Sequence, residues 1–126
     1  MSADDLTNFL KDLAKNGRDD LAGAATIVLQ WVNHHPKAEY VEASDLLEDS
    51  QGLDPVAVST ALALMSECGL MAMKFVVAPR VTYTRLETLF DSIKSIPPEL
   101  EDWKLGKFEK DDAEIYPVFV PLWGNE

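Results

Sequence analysis

Cationic side chains are scarce in this chain: 11 Lys and Arg stand against 22 Asp and Glu, a formal net charge of −11 over 126 residues. Nucleic acid is repelled on average by such a surface unless a basic patch is held apart from the acids. The distribution leaves little room for one. Between Lys37 and Lys74 there is no Lys or Arg, while Glu39, Glu42, Asp45, Glu48, Asp49, Asp54 and Glu67 fall in that window. Cysteine occurs once, so Cys68 has no partner for an internal disulfide. No apolar run approaches the roughly 18 residues that span a bilayer, and the N-terminus MSADDLTNF has no basic segment followed by an apolar core. The expectation is a protein of a reducing cytoplasm, with no membrane attachment.

The vocabulary of catalysis is missing as well. There is no Gly-rich phosphate loop, no Gly-x-Ser-x-Gly elbow and no His-Glu-x-x-His. His34 and His35 are adjacent, so a regular helix does not aim both at one metal, and they suit instead the negative end of a helix dipole. Cys68 stands beside Gly69 at the end of an apolar helical pattern, which predicts a buried core cysteine rather than a nucleophile. Asp111, Asp112 and Glu114 lack the spacing and glycine of a calcium loop and read as a solvated turn. These patterns predict a protein that is not an enzyme and holds no cofactor or metal.

What is present is ordinary globular composition, 47% hydrophobic and 26% charged, in a length that fits one domain with small appendages. The most informative stretch runs from Asp54 to Val81. Asp54 is an N-cap acceptor, Pro55 suits the first helical position, and Val58, Ala61, Leu62 and Met65 recur at helical spacing until Gly69. An extended apolar run follows from Leu70. Upstream, Leu6, Phe9, Leu10 and Leu13 form the stripe of an amphipathic helix over 2–16, which either covers the chain's own core or pairs with a second copy as a homodimer. Asp19 and Asp20 cap a second helix that is apolar nearly all round and should be central. Glu39 to Val41 is short and extended, and Ser44 caps a brief third helix closed by Gly52.

Helix, short strand, short helix, turn, helix and hairpin is the order of a winged helix-turn-helix, and residues 19–84 resemble that family. The resemblance implies an α+β fold: a three-helix core with a β-hairpin wing over 18–85, an extra N-terminal helix over 1–17, and a small β appendage over 86–126. It also implies that the helix after Asp54 recognises the partner. Aligned on the family pattern, that helix turns Ala57, Thr60, Ala63 and Leu64 outward, and none of these side chains makes a bidentate base contact. Lys74, Arg80 and Arg85 give a modestly basic wing.

A second, shorter resemblance follows the wing. Some prokaryotic winged-helix proteins of conflict or defence operons continue into a zinc ribbon with two Cys-Pro-x-Cys knuckles around a Phe-Asp-Ser … Ile-Pro-x-Glu-Leu segment. This chain has Phe90-Asp91-Ser92 and Ile96-Pro97-Pro98-Glu99-Leu100. The implied ligand positions are Ala78, Val81, Asp102 and Leu105, of which only Asp102 can touch a metal. The expectation is a ribbon that has lost its zinc and packs Ala78, Val81 and Leu105 in its place. The prolines at 97 and 98 leave Glu99 to Asp102 a helical turn or two.

The tail AEIYPVFVPLWGNE alternates as a strand, with Tyr116, Val118, Val120 and Leu122 on one face and Ile115, Phe119 and Trp123 on the other. Pro117 and Pro121 share a parity, so both missing N–H donors fall on one edge, which should stay unpaired. Such a strand closes the appendage's small core or lies against a partner through Phe119 and Trp123. Apolar outward positions rimmed by acids predict a protein-binding face made of Ala57, Thr60, Ala63, Leu64, Lys74, Arg80, Phe119 and Trp123. The function expected is a non-enzymatic interaction module, a regulatory subunit or adaptor of a prokaryotic multi-protein system. The alternatives are a winged-helix transcriptional regulator and an acidic inhibitor that mimics nucleic acid, duplex DNA being disfavoured by the charge.

Overall fold

In the computed structural model, residues 3–49 and 52–123 are described, the side chains of Ala3, Asp4, Leu6 and Asp49 excepted. The architecture is α+β: helices α1 (Ala3–Lys15), α2 (Asp19–His34), α3 (Ala43–Asp49) and α4 (Pro55–Glu67), then strands β1 (Met71–Pro79), β2 (Glu99–Asp102), β3 (Gly106–Glu109) and β4 (Ala113–Pro121). Two two-stranded sheets form, β1 with β4 and β2 with β3. Among the described residues no helix is long and apolar enough to cross a membrane. The chain divides into two compact units, one of residues 1–72 with 119–126 and one of residues 73–118. The sequence reading draws its segments at 1–17, 18–85 and 86–126, and the contacts group the residues differently. The N-terminal helix is no separate segment, because it rests on α2, and residues 119–123 join the helices because β4 brings the chain back to them.

The first unit is helical. Alpha2 touches α1, α3 and α4, as its apolar circumference requires, and buries Leu21, Ala24, Ala25 and Val28 completely or nearly so. Asp19 and Asp20 lie in its first turn rather than capping it; Arg18 is the N-cap and makes no side-chain cap bond. The acids serve the dipole instead. Phe9, Leu10 and Leu13 of α1 pack on this unit's own core, so the stripe offered for a homodimer is used within the chain; the side chain of Leu6 lies outside the described residues. In α3 the cap is likewise displaced from Ser44: the helix begins at Ala43, and Asp45 reaches back to accept the Glu42 N–H at 3.0 Å.

Helix α4 follows its local signals. Asp54 accepts from Val56 N–H at 3.0 Å, Pro55 opens the helix, and Val58, Ala61, Leu62 and Met65 are wholly buried. At its end Gly69 takes φ +78°, its N–H donates to Ser66 O at 3.1 Å, and Leu70 N–H donates to Met65 O at 2.9 Å. This pair of bonds is a Schellman closure, and it brings Leu70 onto Met65. Cys68, the C-cap, is therefore left exposed, against the expectation of a core cysteine. The helical spacing that would have buried it ends one step too early.

Beta1 finds its regular partner in β4, not in the segment that follows it. Leu122 N–H donates to Leu70 O at 3.0 Å and Arg80 N–H to Asp112 O at 3.0 Å, which sets one antiparallel register along the pair. The hairpin expected after Leu70 exists only as an irregular return along the other edge of β1. Tyr83 N–H donates to Pro79 O, Leu86 N–H to Val77 O, and Phe75 exchanges both bonds with Phe90. The return advances from Leu86 to Phe90 while β1 advances only from Val77 to Phe75, so no ladder can propagate.

Even-numbered residues of β4 bond to β1. Phe119, of the other parity, exchanges bonds with Val41 at 2.9 and 2.8 Å. Pro117 and Pro121 stand on either side of it on that outer edge, which is bridged at Phe119.

The second unit is built on a small core of Val77, Ile96, Leu100, Phe108 and Ala113, with Phe75, Leu86, Phe90 and Ile115 packed around it. Glu99–Asp102 is a strand rather than a helical turn. Leu100 faces Phe108 across the β2–β3 hairpin, and the apolar pair at its centre outweighs the like charges of Glu99 opposite Glu109.

Candidate functional site

The eight residues offered as a partner-binding face are divided between the two units. Lys74 and Arg80 belong to the second unit and the other six to the first. On α4, Ala57 is 8% exposed and belongs to the core, while Thr60, Ala63 and Leu64 are half-buried, Leu64 against the core cluster. The expectation that all four point outward is corrected because α2 and α3 both rest on α4, so its covered arc is wider than one stripe. Phe119 and Trp123 are also core residues of the helical unit, not exposed apolar positions and not part of the appendage's core. Lys74 pairs with Asp91.

The four positions implied by the zinc-ribbon resemblance do not pack together either. Ala78 is buried, Val81 is 77% exposed and Leu105 is 37% exposed. Among the described residues no group of three or more His, Cys, Asp or Glu side chains could hold a metal ion. Both histidines close their helix: His34 Nδ1 lies 2.7 Å from Gln30 O and His35 Nδ1 2.8 Å from Trp31 O. A carbonyl only accepts, so in each ring Nδ1 carries the proton.

The second unit does expose a coherent surface that the motif reading overlooked. Asp102 ends β2 and is 6% exposed; its Oδ2 accepts the Leu105 N–H at 3.1 Å, and Gly106 at φ +86° starts β3. The residues between them are pushed outward, and Trp103 is 85% exposed with Lys104 Nζ 5.0 Å from its ring centroid. Leu105 from this turn and Val81 from the turn after β1 line one open cavity of about 560 Å³, together with the cations Arg80 and Lys107 and the carboxylates Glu109 and Asp112.

Arg80 fixes one wall of that cavity. Its Nε donates to Glu114 Oε1 at 3.0 Å and its Nη1 to Asp111 O at 2.8 Å. The hydrogen bond and the charge of Glu114 hold the guanidinium above its ordinary pKa, so Arg80 stays cationic throughout the accessible range. Of the acids read as a solvated turn, Glu114 is engaged through its carboxylate and Asp111 through its backbone carbonyl, and Arg80, counted in the basic wing and in the partner-binding face, is committed to its own chain. The signal in the sequence was Asp-Trp-Lys-Leu-Gly, an Asx turn closed by glycine, which is a hairpin tip as readily as a knuckle. No protein-family model, curated protein or solved structure matches this chain.

Proposed function

We propose that the protein is a non-enzymatic interaction module, an adaptor or regulatory subunit that docks another protein at the β2–β3 hairpin tip. The observation that carries this reading is Trp103, 85% exposed on a turn pinned by Asp102. An indole on a rigid turn contacts a partner at low cost in conformational entropy, and tryptophan is enriched among the residues that dominate binding energy. Val81 and Leu105 supply adjoining apolar surface, and the mixed charges of Arg80, Lys107, Glu109 and Asp112 form a polar rim.

Within this reading the helices α2, α3 and α4 followed by β1 are a winged-helix-like arrangement turned from nucleic acid to protein. Alpha4 carries no Lys or Arg, and the residues it does expose are neutral, as Val56 and Ser59 are, or anionic, as Glu67 is. The test compares immobilised wild-type chain with Trp103→Ser in lysate of the native host. A protein held by the wild type and lost with Trp103→Ser, at unchanged thermal midpoint, supports the hairpin tip; identical recovery on both rejects it.

A further inference from the structure

Strand β3 is paired on one side only. Its sheet has two strands, and the register sets Glu99 opposite Glu109, Leu100 opposite Phe108 and Glu101 opposite Lys107. Just beyond the ladder, Lys110 N–H donates to Pro98 O at 2.9 Å. In an antiparallel pair, residues that exchange bonds alternate with residues that do not. The even-numbered residues therefore bond across the hairpin, and the N–H and C=O groups of Lys107 and Glu109 point out of its far edge. Among the described residues no other backbone group takes them up. This edge opens on the cavity of about 560 Å³, whose lining runs from Lys107, Phe108 and Glu109 to Pro79 and Val81.

Outward donors and acceptors in a row are completed by a further strand, and the side chains beside them select which one. Phe108 turns into the core while Lys107 and Glu109 turn into solvent, a cation and an anion two places apart. Such a pair is its own complement when two copies of β3 run antiparallel about a twofold axis. Registers that set Lys107 on Lys107, or Glu109 on Glu109, bring like charges face to face. The register between them sets Lys107 of each copy opposite Glu109 of the other, and each of these pairs exchanges both of its backbone bonds.

Glu109 gains most from this arrangement. Within its own chain it faces Glu99, and it forms no salt bridge among the described residues. Lys107 is loosely held, 3.8 Å from Glu99 with both side chains mostly in solvent, so sharing it costs little. The hairpin's other edge offers no such match. Its outward residues are Glu99 and Glu101, preceded by Pro97 and Pro98, so a second copy is repelled there and association closes at two chains. The formal net charge of −11 on each chain opposes the contact. At physiological salt, screening acts over about 8 Å, so side chains in contact still attract while most of the remaining acids are damped.

We infer that two copies of the chain associate through β3, edge to edge and antiparallel, with Lys107 of each opposite Glu109 of the other and the two hairpins joined in one continuous sheet. The residues that carry this contact lie on the side of the hairpin, and Trp103 lies at its tip.

The test is sedimentation of the full chain at physiological salt from about 10 µM to about 1 mM, the range expected of a contact this small. The expected result is a concentration-dependent dimer. As it forms, the amides of Lys107 and Glu109 should gain protection from hydrogen exchange, while that of Glu101, on the other edge, should gain none. Lys107→Glu and Glu109→Lys, both at exposed positions, should each weaken the dimer about tenfold, because each sets like charges opposite one another. An equimolar mixture of the two variants should recover it as a heterodimer, every opposed pair again being of opposite sign. Net repulsion alone predicts otherwise: Lys107→Glu makes the chain more acidic and Glu109→Lys less, so their effects would have opposite signs. Exchange in the wild type tests the pairing even where a reversal disturbs the hairpin. A chain that stays monomeric throughout overturns the inference, as does a dimer that Glu109→Lys strengthens, a mixture that stays monomeric, or protection that appears at Glu101 instead. A dimer abolished by Trp103→Ser and indifferent to both reversals also overturns it, and moves the contact to the tip.

Discussion

The carboxylate of Asp102 accepts the backbone N–H of Leu105 at 3.1 Å, and Trp103 stands in solvent on the turn that this bond closes. Asp102→Ala removes the acceptor and leaves a partly buried N–H unpaired, at a cost of about 1–3 kcal/mol. Asp102→Asn keeps an oxygen in place and should retain most of that stability. Hydrogen exchange at the Leu105 amide reads the bond directly. Unchanged protection in Asp102→Ala would show that the turn is held by something else.

Gly69→Ala should lower stability by about 1–2 kcal/mol, because a Cβ is forced into the left-handed region where Gly69 sits at φ +78°. The loss is in the connection between α4 and β1, so the calorimetric midpoint should fall while the α4 cap at Asp54 stays protected. A midpoint equal to wild type would mean that the Schellman closure contributes nothing.

Two leucines on α4 separate core from surface. Leu62 is wholly buried, and Leu62→Ala should cost about 2–5 kcal/mol in urea unfolding. Leu64 was expected outside the core, where a charge would leave the fold intact; it is half-buried against the core cluster instead. Leu64→Glu should therefore destabilise the monomer by about 1–3 kcal/mol through lost apolar burial and a partly desolvated carboxylate. An unchanged urea midpoint would return Leu64 to the surface and to the interface reading.

Duplex DNA should not bind measurably at physiological salt. A helix without Lys or Arg releases no counterions from the groove it enters, and the formal net charge of −11 opposes approach. Fluorescence anisotropy of a labelled duplex, repeated over a salt series, is the measurement. Submicromolar binding that weakens steeply with salt would restore the regulator alternative.

What was legible in the sequence was local. Asp54, Pro55 and Gly69 each act within one helical turn of themselves, so the bounds of α4 could be read directly. The partner of β1 could not, because pairing with β4 joins residues more than thirty positions apart and no short-range signal carries it. The segment Glu99–Asp102 has one apolar residue, Leu100, whose strand character depends on Phe108 across the turn. Trp123 was read as an outward residue because alternation tells which residues share a face but not which face is covered. The hairpin tip was visible as Asp102 and Gly106, yet a turn motif gives no measure of how far Trp103 stands from the core.

The prolines that flank Phe119 have a consequence for the molecule in a crowded solution. A strand edge with regularly spaced donors is a template on which another chain can add itself, and addition repeated is how fibrils grow. The outer edge of β4 lacks donors at Pro117 and Pro121, and its bridge at Phe119 is already taken by Val41. An incoming strand finds no run of bonds long enough to hold it. The most apolar stretch of the C-terminal region can thus be exposed at nascent or transiently opened stages without seeding polymerisation along that edge.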